Sequence, residues 1–359
     1  MPRILIVAPS WVGDAVLAQP LLKRLHERHR ELTLDVLAPP WTRVLFERMP
    51  EVHATVDSPF DHGELALRRR YAFGRGLATQ HYDQAIVLPN SFKSALIPFF
   101  ARIPRRTGYV GEARWGLLSD ARRLDKRALP LMVERFALLA EDAGNPLKRP
   151  LAAARLAVND AQRAATLAKL GLAPKRQVAV LCPGAEYGPA KRWPPNYFAA
   201  LAQKLSAAGF DVWLAGSAND TAIGDEIARG GGDACVNLCG RSSLSEAIDL
   251  LSCAALVVSN DSGLMHIAAA LDKPLIAIYG SSSPGFTPPL SARARIVRLE
   301  LPCSPCFRRE CPLGHFNCMM QLSPAQVWNH IEIDKIQEFV GLGPRQTPNA
   351  KPAPVELRK

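Results

Sequence analysis

Short apolar runs alternate with helix-length amphipathic segments along nearly the whole chain, and this pattern restricts the possible folds more than any other feature. The apolar runs predict strands at residues 3–8, 32–37, 52–56, 84–88, 177–182, 211–215, 254–258 and 275–279. The intervening segments predict helices at residues 14–28, 41–48, 91–102, 129–143, 160–170, 196–208, 220–229, 245–252 and 323–340. Such alternation is typical of a mostly parallel sheet with helices on both faces. We therefore predict an α/β fold built from doubly wound sheets.

The chain is long enough for two such domains. At 359 residues it exceeds the length of about 250–300 residues at which a single hydrophobic core stops growing. Residues 171–176 resemble a linker that leads into a fresh strand. We predict a first domain over residues 1–172, a second over residues 173–340, and a disordered tail over residues 341–359. Doubly wound domains bind ligands at the carboxyl ends of their strands, so we expect the two domains to face a central cleft.

The most informative strand end is the polar stretch at residues 259–263, which lies between an apolar strand and a short helix. Asp261 or Ser262 can cap that helix, which leaves the backbone N–H groups of Ser262 and Gly263 at its positive end. Such an end is a natural seat for a phosphate. His266 lies one turn further along on the same helical face and can point at the same ligand. An ordinary capped helix with a core histidine fits this stretch equally well.

Three further strand ends carry polar residues. Gly13 and Asp14 follow the first strand, and Asp14 is either the N-cap of the next helix or a general base. The same turn lacks a G-x-G-x-x-G pattern, which argues against an ordinary dinucleotide site. Lys191 and Arg192 end the loop after the first strand of the second half, where they could bind a diphosphate by charge and hydrogen bonding. Asp220, after the following strand, either caps a helix or holds ribose hydroxyls.

Positive charge is concentrated in the first half of the chain. Residues 1–174 hold 26 Lys and Arg against 17 Asp and Glu, which is a net charge of +9 out of +11 for the whole chain. The excess is densest between residues 60 and 130, in Arg68, Arg69, Arg70, Arg75, Lys93, Arg102, Arg105, Arg106, Arg114, Arg122, Arg123, Lys126 and Arg127. Such a surface suits nucleic acid, an anionic membrane or a phosphorylated substrate. A merely well-solvated surface explains each arginine taken alone.

Composition argues against several classes of protein. Only 7% of the residues are aromatic, and the chain has no stacked-aromatic or recognition-helix signature of a nucleic-acid-binding protein. No apolar run approaches the roughly 18–20 residues of a membrane span, and the N-terminus enters a strand at once. We therefore expect no secretion and no membrane insertion. We expect the eight cysteines to be mostly reduced thiols in a cytosolic compartment.

A cluster of four cysteines, Cys303, Cys306, Cys311 and Cys318, lies within sixteen residues. With His315 as a spare ligand, these thiols could close a tetrahedral zinc site. The second pair is spaced more loosely than is usual in a zinc knuckle. Reduced loop thiols are therefore the preferred interpretation, and a structural zinc is the alternative.

Three motifs together resemble one family, the ADP-heptose:lipopolysaccharide heptosyltransferases of glycosyltransferase family 9. The motifs are Trp-Val-Gly-Asp at residues 11–14, Pro-Gly-Ala-Glu-Tyr-Gly-Pro-Ala-Lys-Arg-Trp-Pro at residues 183–194 and Ser-Asn-Asp-Ser-Gly-Leu-Met-His at residues 259–266. The resemblance extends in order over the chain to about residue 340. Residues 88–95 and the cysteine-rich stretch after residue 300 are most similar to the enzymes that add the second heptose.

The resemblance implies a GT-B architecture, with an N-terminal acceptor domain, a C-terminal nucleotide-sugar domain and a last helix that can pack back on the first. It implies transfer of L-glycero-D-manno-heptose from ADP-heptose to the first heptose of the phosphorylated lipopolysaccharide inner core. The transfer inverts the anomeric centre and needs neither a metal nor another cofactor. A displacement of this kind requires a base on the acceptor hydroxyl and cations or dipoles on the departing diphosphate.

The resemblance also assigns roles to residues. Asp14 matches the family's base, and Lys191 and His266 match its diphosphate site. The residues implied at the donor are Gly13, Glu186, Tyr187, Lys191, Asp220, Asp261, Ser262, Gly263 and His266. Glu186 and Tyr187 stand where the first enzyme of the pathway has a hydroxyl pair, and Asp220 stands in place of its ribose-binding glutamate. From charge density we expect the acceptor's anionic groups to meet Lys93, Arg105, Arg106 and the run from Arg68 to Arg70.

The acceptor implied by the family lies at the inner membrane surface. We therefore expect a cytoplasmic enzyme in peripheral contact with the cytoplasmic face of that membrane, with no nucleic-acid partner. Two alternatives stay open. One is a heptosyltransferase that acts on Kdo, and the other is a basic nucleic-acid-binding protein without enzymatic activity.

Overall fold

The computed structural model describes residues 1–61, 63–232, 235–333 and 336. The described residues form two units, and the chain divides between them after Leu156. Each unit contains one six-stranded sheet whose strands all run parallel. Among the described residues, no helix is both long and apolar enough to cross a bilayer. The predicted α/β class with two doubly wound sheets is confirmed.

The first unit alternates strands and helices from its first residues. Its strands are β1 (Arg3–Val7), β2 (Thr33–Ala38), β3 (Ala54–Asp57), β4 (Gln84–Val87), β5 (Arg105–Tyr109) and β6 (Asp120–Arg122). Its helices are α1 (Val12–Leu17), α2 (Gln19–Arg28), α3 (Pro40–Glu47), α4 (Leu67–Leu77), α5 (Phe92–Phe100) and α6 (Met132–Leu138). The strand order across the sheet is β3-β2-β1-β4-β5-β6.

The centre of this sheet is apolar because helices shield both of its faces. Leu5 and Ile6 of β1 are fully buried, and β1 pairs with β2 on one side and with β4 on the other. Strands covered on both faces read as continuous apolar runs, which is the pattern that the sequence shows here. Each fully buried Leu, Ile or Val side chain stabilises the fold by about 1.5–3 kcal/mol.

The second unit repeats this construction. Its strands are β7 (Gln177–Cys182), β8 (Phe210–Leu214), β9 (Cys235–Asn237), β10 (Ala254–Asn260), β11 (Leu275–Ile278) and β12 (Ala294–Val297). Its helices are α7 (Asp160–Leu170), α8 (Pro195–Ala207), α9 (Thr221–Gly231), α10 (Leu244–Ser252), α11 (Gly263–Ala270), α12 (Asn317–Met320) and α13 (Pro324–Trp328). The strand order is β12-β11-β10-β7-β8-β9.

Both sheets have the same topology. Counted within its own unit, each sheet has the strand order 3-2-1-4-5-6, so its winding reverses between the first and the fourth strand. Open α/β sheets bind ligands beyond the carboxyl ends of the strands at this reversal. We call the carboxyl ends of β1 and β4 the first switch point. The carboxyl ends of β7 and β10 are the second switch point.

The boundary between the units lies before α7, whereas the sequence analysis places it after residue 172. Thr166 of α7 donates a hydrogen bond to the buried Asp249 of α10 at 2.9 Å, and α7 packs on α10. The predicted linker at residues 171–176 is therefore a connection inside the second unit. The N–H groups of Lys175 and Arg176 donate to the side chain of Asp211 at 3.1 and 3.2 Å.

Prolines account for two differences in the predicted helices. The single helix predicted at residues 14–28 is two helices, α1 and α2, which meet at Ala18. Pro20 has no N–H and cannot continue the first helix through this point. The helix predicted at residues 129–143 is the shorter α6, which begins two residues after Pro130. A proline in these positions favours a helix start over a helix interior.

The last predicted helix, at residues 323–340, is described only as far as α13 and a few residues beyond it. Val327 and Ile331 are buried with Trp193 and Phe198 in the core of the second unit. The described part of this segment therefore packs in the core of the second unit. Residues 337–359, which include the predicted tail, lie outside the described residues.

Four strands and two helices, α4 and the four-residue α12, are missing from the sequence prediction. Strands β6, β9 and β12 are short edge strands, and each pairs with only one other strand of its sheet. An edge strand needs fewer apolar residues than a central one, so its sequence signal is weak. Strand β5 begins with two arginines. Helix α4 contains the three consecutive arginines that the sequence analysis treats only as charge.

Candidate functional site

The loops of the second switch point are tied together by a buried amide. Asn260, the last residue of β10, is fully buried, and its Nδ2 donates to the carbonyl of Pro183 at 2.7 Å. Its Oδ1 accepts the backbone N–H of Trp193 at 3.1 Å. One side chain thus satisfies both ends of the loop after β7, as a buried polar group must. This contact fixes the loop that carries Lys191 beside the N-terminus of α11.

Lys191 is held at the second switch point by a buried carboxylate. Its Nζ lies 2.6 Å from Oδ2 of Asp261, whose side chain is 4% exposed. The same oxygen accepts a hydrogen bond from Oγ of the buried Ser282 at 2.5 Å. A charge taken out of water requires such partners. The ammonium group is therefore positioned by the protein itself.

The N-terminus of α11 presents backbone donors in the same region. Ser262 occupies the N-cap position, but its side chain makes no capping hydrogen bond and lies 3.2 Å from Oγ of Ser259. Asp261 is bound to Lys191 and does not cap the helix. The first N–H groups of the helix, beginning at Gly263, can therefore donate to an anion in addition to the attraction of the helix dipole.

His266 is the buried member of this group. The side chain lies in the first turn and a half of α11, the residue is 4% exposed, and its Nδ1 has no hydrogen-bond partner among the described residues. Burial lowers the pKa of His266 to about 4, and the charge on Lys191 adds to the effect while Asp261 opposes it. The imidazole is therefore neutral at pH 7. An unpartnered buried nitrogen favours a ligand-directed histidine over a satisfied core histidine.

The loop after β7 is supported by a segment far away in the sequence. The Tyr187 hydroxyl donates to the carbonyl of Phe307 at 2.8 Å, and the N–H of Ala190 donates to the carbonyl of Arg309 at 3.0 Å. Gly188 has φ of 153°, and a Cβ at this position would lie 2.5 Å from the same carbonyl of Arg309. Sequence reasoning misses this support, because the two segments are separated by more than 100 residues.

The two residues predicted to replace the family's hydroxyl pair occupy different environments. Glu186 is exposed in the loop. Tyr187 is half-buried, and Nζ of Lys191 lies 5.0 Å from the centre of its ring. A cation at this distance from an aromatic face is attracted by the ring quadrupole. Tyr187 therefore helps to orient Lys191, whereas among the described residues the Glu186 side chain makes no hydrogen bond or ion pair with that site.

Asp220 has a local structural role. Its Oδ2 accepts the N–H of Ser217 at 2.9 Å and the hydroxyl of the same residue at 2.7 Å, which closes a capping box. A Cβ on Gly184 would lie 2.3 Å from that oxygen. Arg192, the second predicted diphosphate ligand, approaches Oδ1 of Asp220 at 3.8 Å. Asp220 therefore closes the turn that precedes α9, but its side chain makes no capping hydrogen bond to α9 itself, and its contact with a ribose stays a prediction.

At the first switch point, Asp14 lies in the first turn of α1. The N-cap interpretation of Asp14 is wrong, because Trp11 occupies that position and Asp14 is the third residue of the helix. The turn is held by Trp41, whose indole Nε1 donates to the carbonyl of Ser10 at 2.9 Å. Gly13 and Asp14 are both half-buried. A carboxylate in the first turn of a helix is stabilised in its ionised form, which is the form that a general base needs.

Lys93 lies close to the same end of the sheet. It is the second residue of α5 and lines a cavity of about 90 Å³ with Ser10, Ser91 and Arg70. Arg70, from the predicted basic run, is 4% exposed and donates to the carbonyl of Leu65 at 2.7 Å. Burial lowers the pKa of Arg70. Of these two cations, Arg70 builds the wall of the cavity and Lys93 is the one available to a ligand.

Arg105 and Arg106, which the sequence analysis predicts to bind the acceptor, lie away from the first switch point. Both residues begin β5, at the amino end of the sheet and not at the carboxyl end where ligands bind. Arg105 lies 3.4 Å from both Asp120 and Asp142. Arg106 donates to the carbonyls of Leu117 at 2.6 Å and Ile103 at 2.5 Å. These side chains are engaged in holding their own unit together.

The four cysteines of the cluster are free thiols in this structure, and so are the other four cysteines. Over the ranges that the structure describes, no group of three or more His, Cys, Asp or Glu residues has an arrangement that could hold a metal ion. The Sγ atom of Cys311 accepts the N–H of Phe316 at 3.4 Å, and such backbone donors lower the pKa of Cys311. Burial raises the pKa of Cys318.

The second switch point brings together Lys191, the N-terminus of α11 and His266, and we call this group the anion seat. Two doubly wound units in one chain with such a site agree with the GT-B class of glycosyltransferases. The model of "Glycosyltransferase family 9 (heptosyltransferase)" matches residues 70–317. The chain belongs to this family.

Individual relatives agree with this assignment. The chain is 45% identical over 334 residues to lipopolysaccharide heptosyltransferase 2 of Salmonella typhimurium, covering 90% of this chain and 96% of the relative. It is 44% identical over 345 residues to lipopolysaccharide heptosyltransferase 2 of Escherichia coli K12, covering 94% and 99%. The solved structure of E. coli ADP-heptose LPS heptosyltransferase II matches with a TM-score of 0.82 at 41% identity, covering 95% of this chain and 100% of that one.

Proposed function

We propose that this enzyme transfers L-glycero-D-manno-heptose from ADP-heptose to the first heptose of the lipopolysaccharide inner core. The proposal is supported by the identity of 44–45% over at least 90% of the chain with two enzymes named lipopolysaccharide heptosyltransferase 2. The observation on which it chiefly rests in the structure is the anion seat at the second switch point. There, an oriented lysine, an uncapped helix N-terminus and a neutral buried histidine lie together.

The second switch point supplies the groups that a departing diphosphate requires. In the transfer step the acceptor oxygen forms a bond to the anomeric carbon, and the bond between that carbon and the phosphate oxygen breaks. The electron pair of the broken bond leaves with ADP, so negative charge grows on the diphosphate. Lys191 and the N–H groups of α11 stabilise this charge without reorganising. His266, neutral and unpartnered at Nδ1, offers one further hydrogen bond.

Asp14 at the first switch point supplies the other half of the reaction. A sugar hydroxyl is a weak nucleophile until its proton is removed, and a positioned carboxylate removes that proton as the new bond forms. The proton released by the acceptor goes to a carboxylate oxygen of Asp14. Lys93, at the start of α5, is placed to contact an anionic group of the same acceptor.

The first unit also carries a surface suited to the membrane that bears the acceptor. Tyr71 is 54% exposed and Phe99 is 40% exposed, and both rings contact Phe100, at 5.3 and 5.7 Å between ring centroids. The exposed Arg68 precedes Tyr71 by less than one turn of α4. Aromatic side chains beside arginines are typical of surfaces that lie on anionic bilayers. We infer that the enzyme works peripherally at the cytoplasmic face of the inner membrane.

Product analysis tests the proposal directly. Purified enzyme is incubated with ADP-heptose and either an acceptor carrying one heptose or a heptose-free Kdo acceptor, and the acceptor mass and released ADP are measured. We expect one heptose to be added to the first acceptor, with one ADP released per heptose. Transfer only to the heptose-free acceptor would instead identify an enzyme that acts on Kdo. Absence of ADP release with either acceptor would refute the transferase proposal.

A further inference from the structure

A polar groove lies beside the first switch point, at the carboxyl ends of β4, β5 and β6. Its volume is about 660 Å³, and it is formed entirely by the first unit. Its lining includes Asn90 and Tyr109 as well as the cations Arg123 and Lys126. The predicted acceptor residues Lys93, Arg105 and Arg106 are not part of its lining. The carboxyl edge of a parallel sheet is the edge at which such folds bind ligands.

The floor of the groove is fixed by a buried arginine. Arg114 is fully buried, and its guanidinium donates to the carbonyls of Tyr109 at 2.8 Å and Pro89 at 2.6 Å. It also donates to Oδ1 of Asn90 at 3.1 Å. Burial lowers the pKa of Arg114 to about 10, so it stays positively charged at neutral pH. Arg114 therefore connects the loop after β4 with the loop after β5 and adds positive charge behind the groove.

The backbone of one groove wall is strained. Glu112 and the next residue, Ala113, have φ values of 44° and 54°, in a region that residues with a side chain rarely adopt. The preceding Gly111 approaches Asn90 so closely that a Cβ would lie 2.9 Å from the carbonyl oxygen of Asn90. Backbone held in this way persists only where surrounding contacts enforce it, and such positions cluster at ligand sites.

The side chains at the mouth of the groove leave positive charge without a partner. Arg123 and Lys126 are exposed, and neither side chain has a hydrogen-bond or ion-pair partner among the described residues. The lining includes one carboxylate, that of Glu112, whose Oε2 accepts the N–H of Phe92 at 2.8 Å. The groove lining therefore carries two cations and one carboxylate, which is already held by a backbone donor, while the buried Arg114 lies behind it.

We propose that this groove binds an anionic group of the acceptor, with Arg123 and Lys126 as its ligands, and so sets the specificity for a charged inner core. The inference rests on the proposed function. The group recognised is a phosphate or a sugar-acid carboxylate, because both present the anionic oxygens that arginine and lysine bind. The site lies on the acceptor unit and makes no contribution to donor binding.

The test is a steady-state comparison of acceptor and donor kinetics in the full-length enzyme. The double variant Arg123→Gln/Lys126→Gln is compared with Arg30→Gln/Lys148→Gln, which removes the same charge from exposed residues of the first unit outside the groove. We expect the groove variant to raise the KM for the acceptor about 10-fold or more, since two charge-assisted contacts are lost. The KM for ADP-heptose and the kcat at saturating acceptor should stay at the wild-type values.

Two acceptor preparations separate the possible sources of the effect. The measurements use a water-soluble core oligosaccharide without acyl chains, with its phosphates intact or removed enzymatically. An effect that disappears with the dephosphorylated acceptor identifies a phosphate as the ligand, and an effect that persists identifies a carboxylate. Both outcomes support the groove site.

Three results would overturn the inference. The first is an unchanged acceptor KM in the groove variant of an active enzyme. The second is an equal loss in the Arg30→Gln/Lys148→Gln control, which would indicate general charge attraction. The third is an effect seen only with membrane-embedded acceptor, which would assign these residues to the lipid surface. A wild-type enzyme that is inactive with every acceptor would instead refute the proposed function, so the two failures are distinguishable.

Discussion

The two switch points share one strand order but hold their polar groups in different ways. At the second, Lys191 and Asp261 form a buried ion pair and His266 is almost completely buried. At the first, Asp14 and Lys93 are only half-buried, and the cations of the neighbouring groove are exposed. The same sheet topology thus supports a largely buried, fixed site in one unit and a more exposed one in the other. Topology decides where a ligand binds, and the loops decide the chemistry.

This difference agrees with the two tasks of the proposed reaction. Charge that develops on a leaving diphosphate is best met by groups fixed in advance. An acceptor hydroxyl needs one base within hydrogen-bond reach, and the large acceptor that carries it requires open access. Substitutions at the second switch point should therefore affect nucleotide binding and stability together. Substitutions at the first switch point should affect turnover or acceptor binding and leave nucleotide binding unchanged.

The largest expected effect follows from replacing the base. Asp14→Asn keeps the shape of the side chain and removes its ability to accept a proton, so we expect kcat to fall about 10²- to 10⁴-fold. The matched control is Asp57→Asn, because Asp57 ends strand β3 of the same sheet and is 50% exposed. The control should keep its kcat within about twofold of the wild type. A kcat of Asp14→Asn close to that of the control would remove Asp14 from the mechanism.

The next effect concerns the buried ion pair. Lys191→Met leaves Asp261 buried without its cation, and we expect a loss of about 3 kcal/mol in the free energy of unfolding. Lys169→Met breaks a pair with Glu246 that has the same N–O distance of 2.6 Å but a lysine side chain that is 62% exposed. Lys169→Met should lower the free energy of unfolding by less than about 1 kcal/mol. Urea denaturation measures both values, and equal losses would contradict the contrast between buried and exposed charge.

A smaller effect is expected from replacing the buried His266 of α11. In the unfolded chain His266 gains a proton near its ordinary pKa of about 6.5, whereas burial lowers its pKa in the folded protein to about 4. The unfolded state therefore binds more protons as the pH falls, and His266 destabilises the fold from about pH 6.5 down to about pH 4. When the pH is lowered from 8 to 5, the free energy of unfolding of the wild type should fall by about 2 kcal/mol more than that of His266→Gln. The measurement is urea denaturation of both proteins at several pH values. If their unfolding free energies changed with pH in the same way, His266 would not titrate as described.

The smallest effect is expected at the amino end of the first sheet. Arg105 is 43% exposed and lies 3.4 Å from each of two carboxylates, so Arg105→Gln should cost less than about 1 kcal/mol in unfolding free energy. Its acceptor KM should change less than about twofold, unlike that of the groove variant. A large rise in acceptor KM for Arg105→Gln would restore the interpretation based on charge density and would weaken the distinction between the two ends of the sheet.

Much of the fold follows from the sequence, because central strands of a doubly wound sheet are long apolar runs that a period-two or continuous pattern reveals. The missing elements are those whose stability comes from neighbours. Strand β12 is an edge strand with two exposed residues out of four, and its pairing with β11 is not encoded in its own pattern. The position of the unit boundary also escapes prediction, since it depends on how α7 packs on α10.

The residues of the candidate site also divide into those that the sequence predicts and those that it does not. Polar residues in the loops that follow apolar strands, such as Lys191 and Asp261, could be found from the sequence because strand ends of parallel sheets converge. Ser282 and Asn260 could not, since their roles appear only in contacts with distant loops. Charge density misplaced Arg105 and Arg106, because net charge contains no information about which end of a strand a residue occupies.

The division of labour between the two switch points is tested most directly by ADP binding. Isothermal titration of ADP into the wild type, Asp14→Asn and Lys191→Met, at a temperature where all three are folded, gives the Kd of each. We predict an unchanged Kd for Asp14→Asn, despite its lost turnover, and a Kd at least about 10-fold weaker for Lys191→Met. Loss of ADP binding in Asp14→Asn, or wild-type binding in Lys191→Met, would contradict the assignment of the donor to the second switch point.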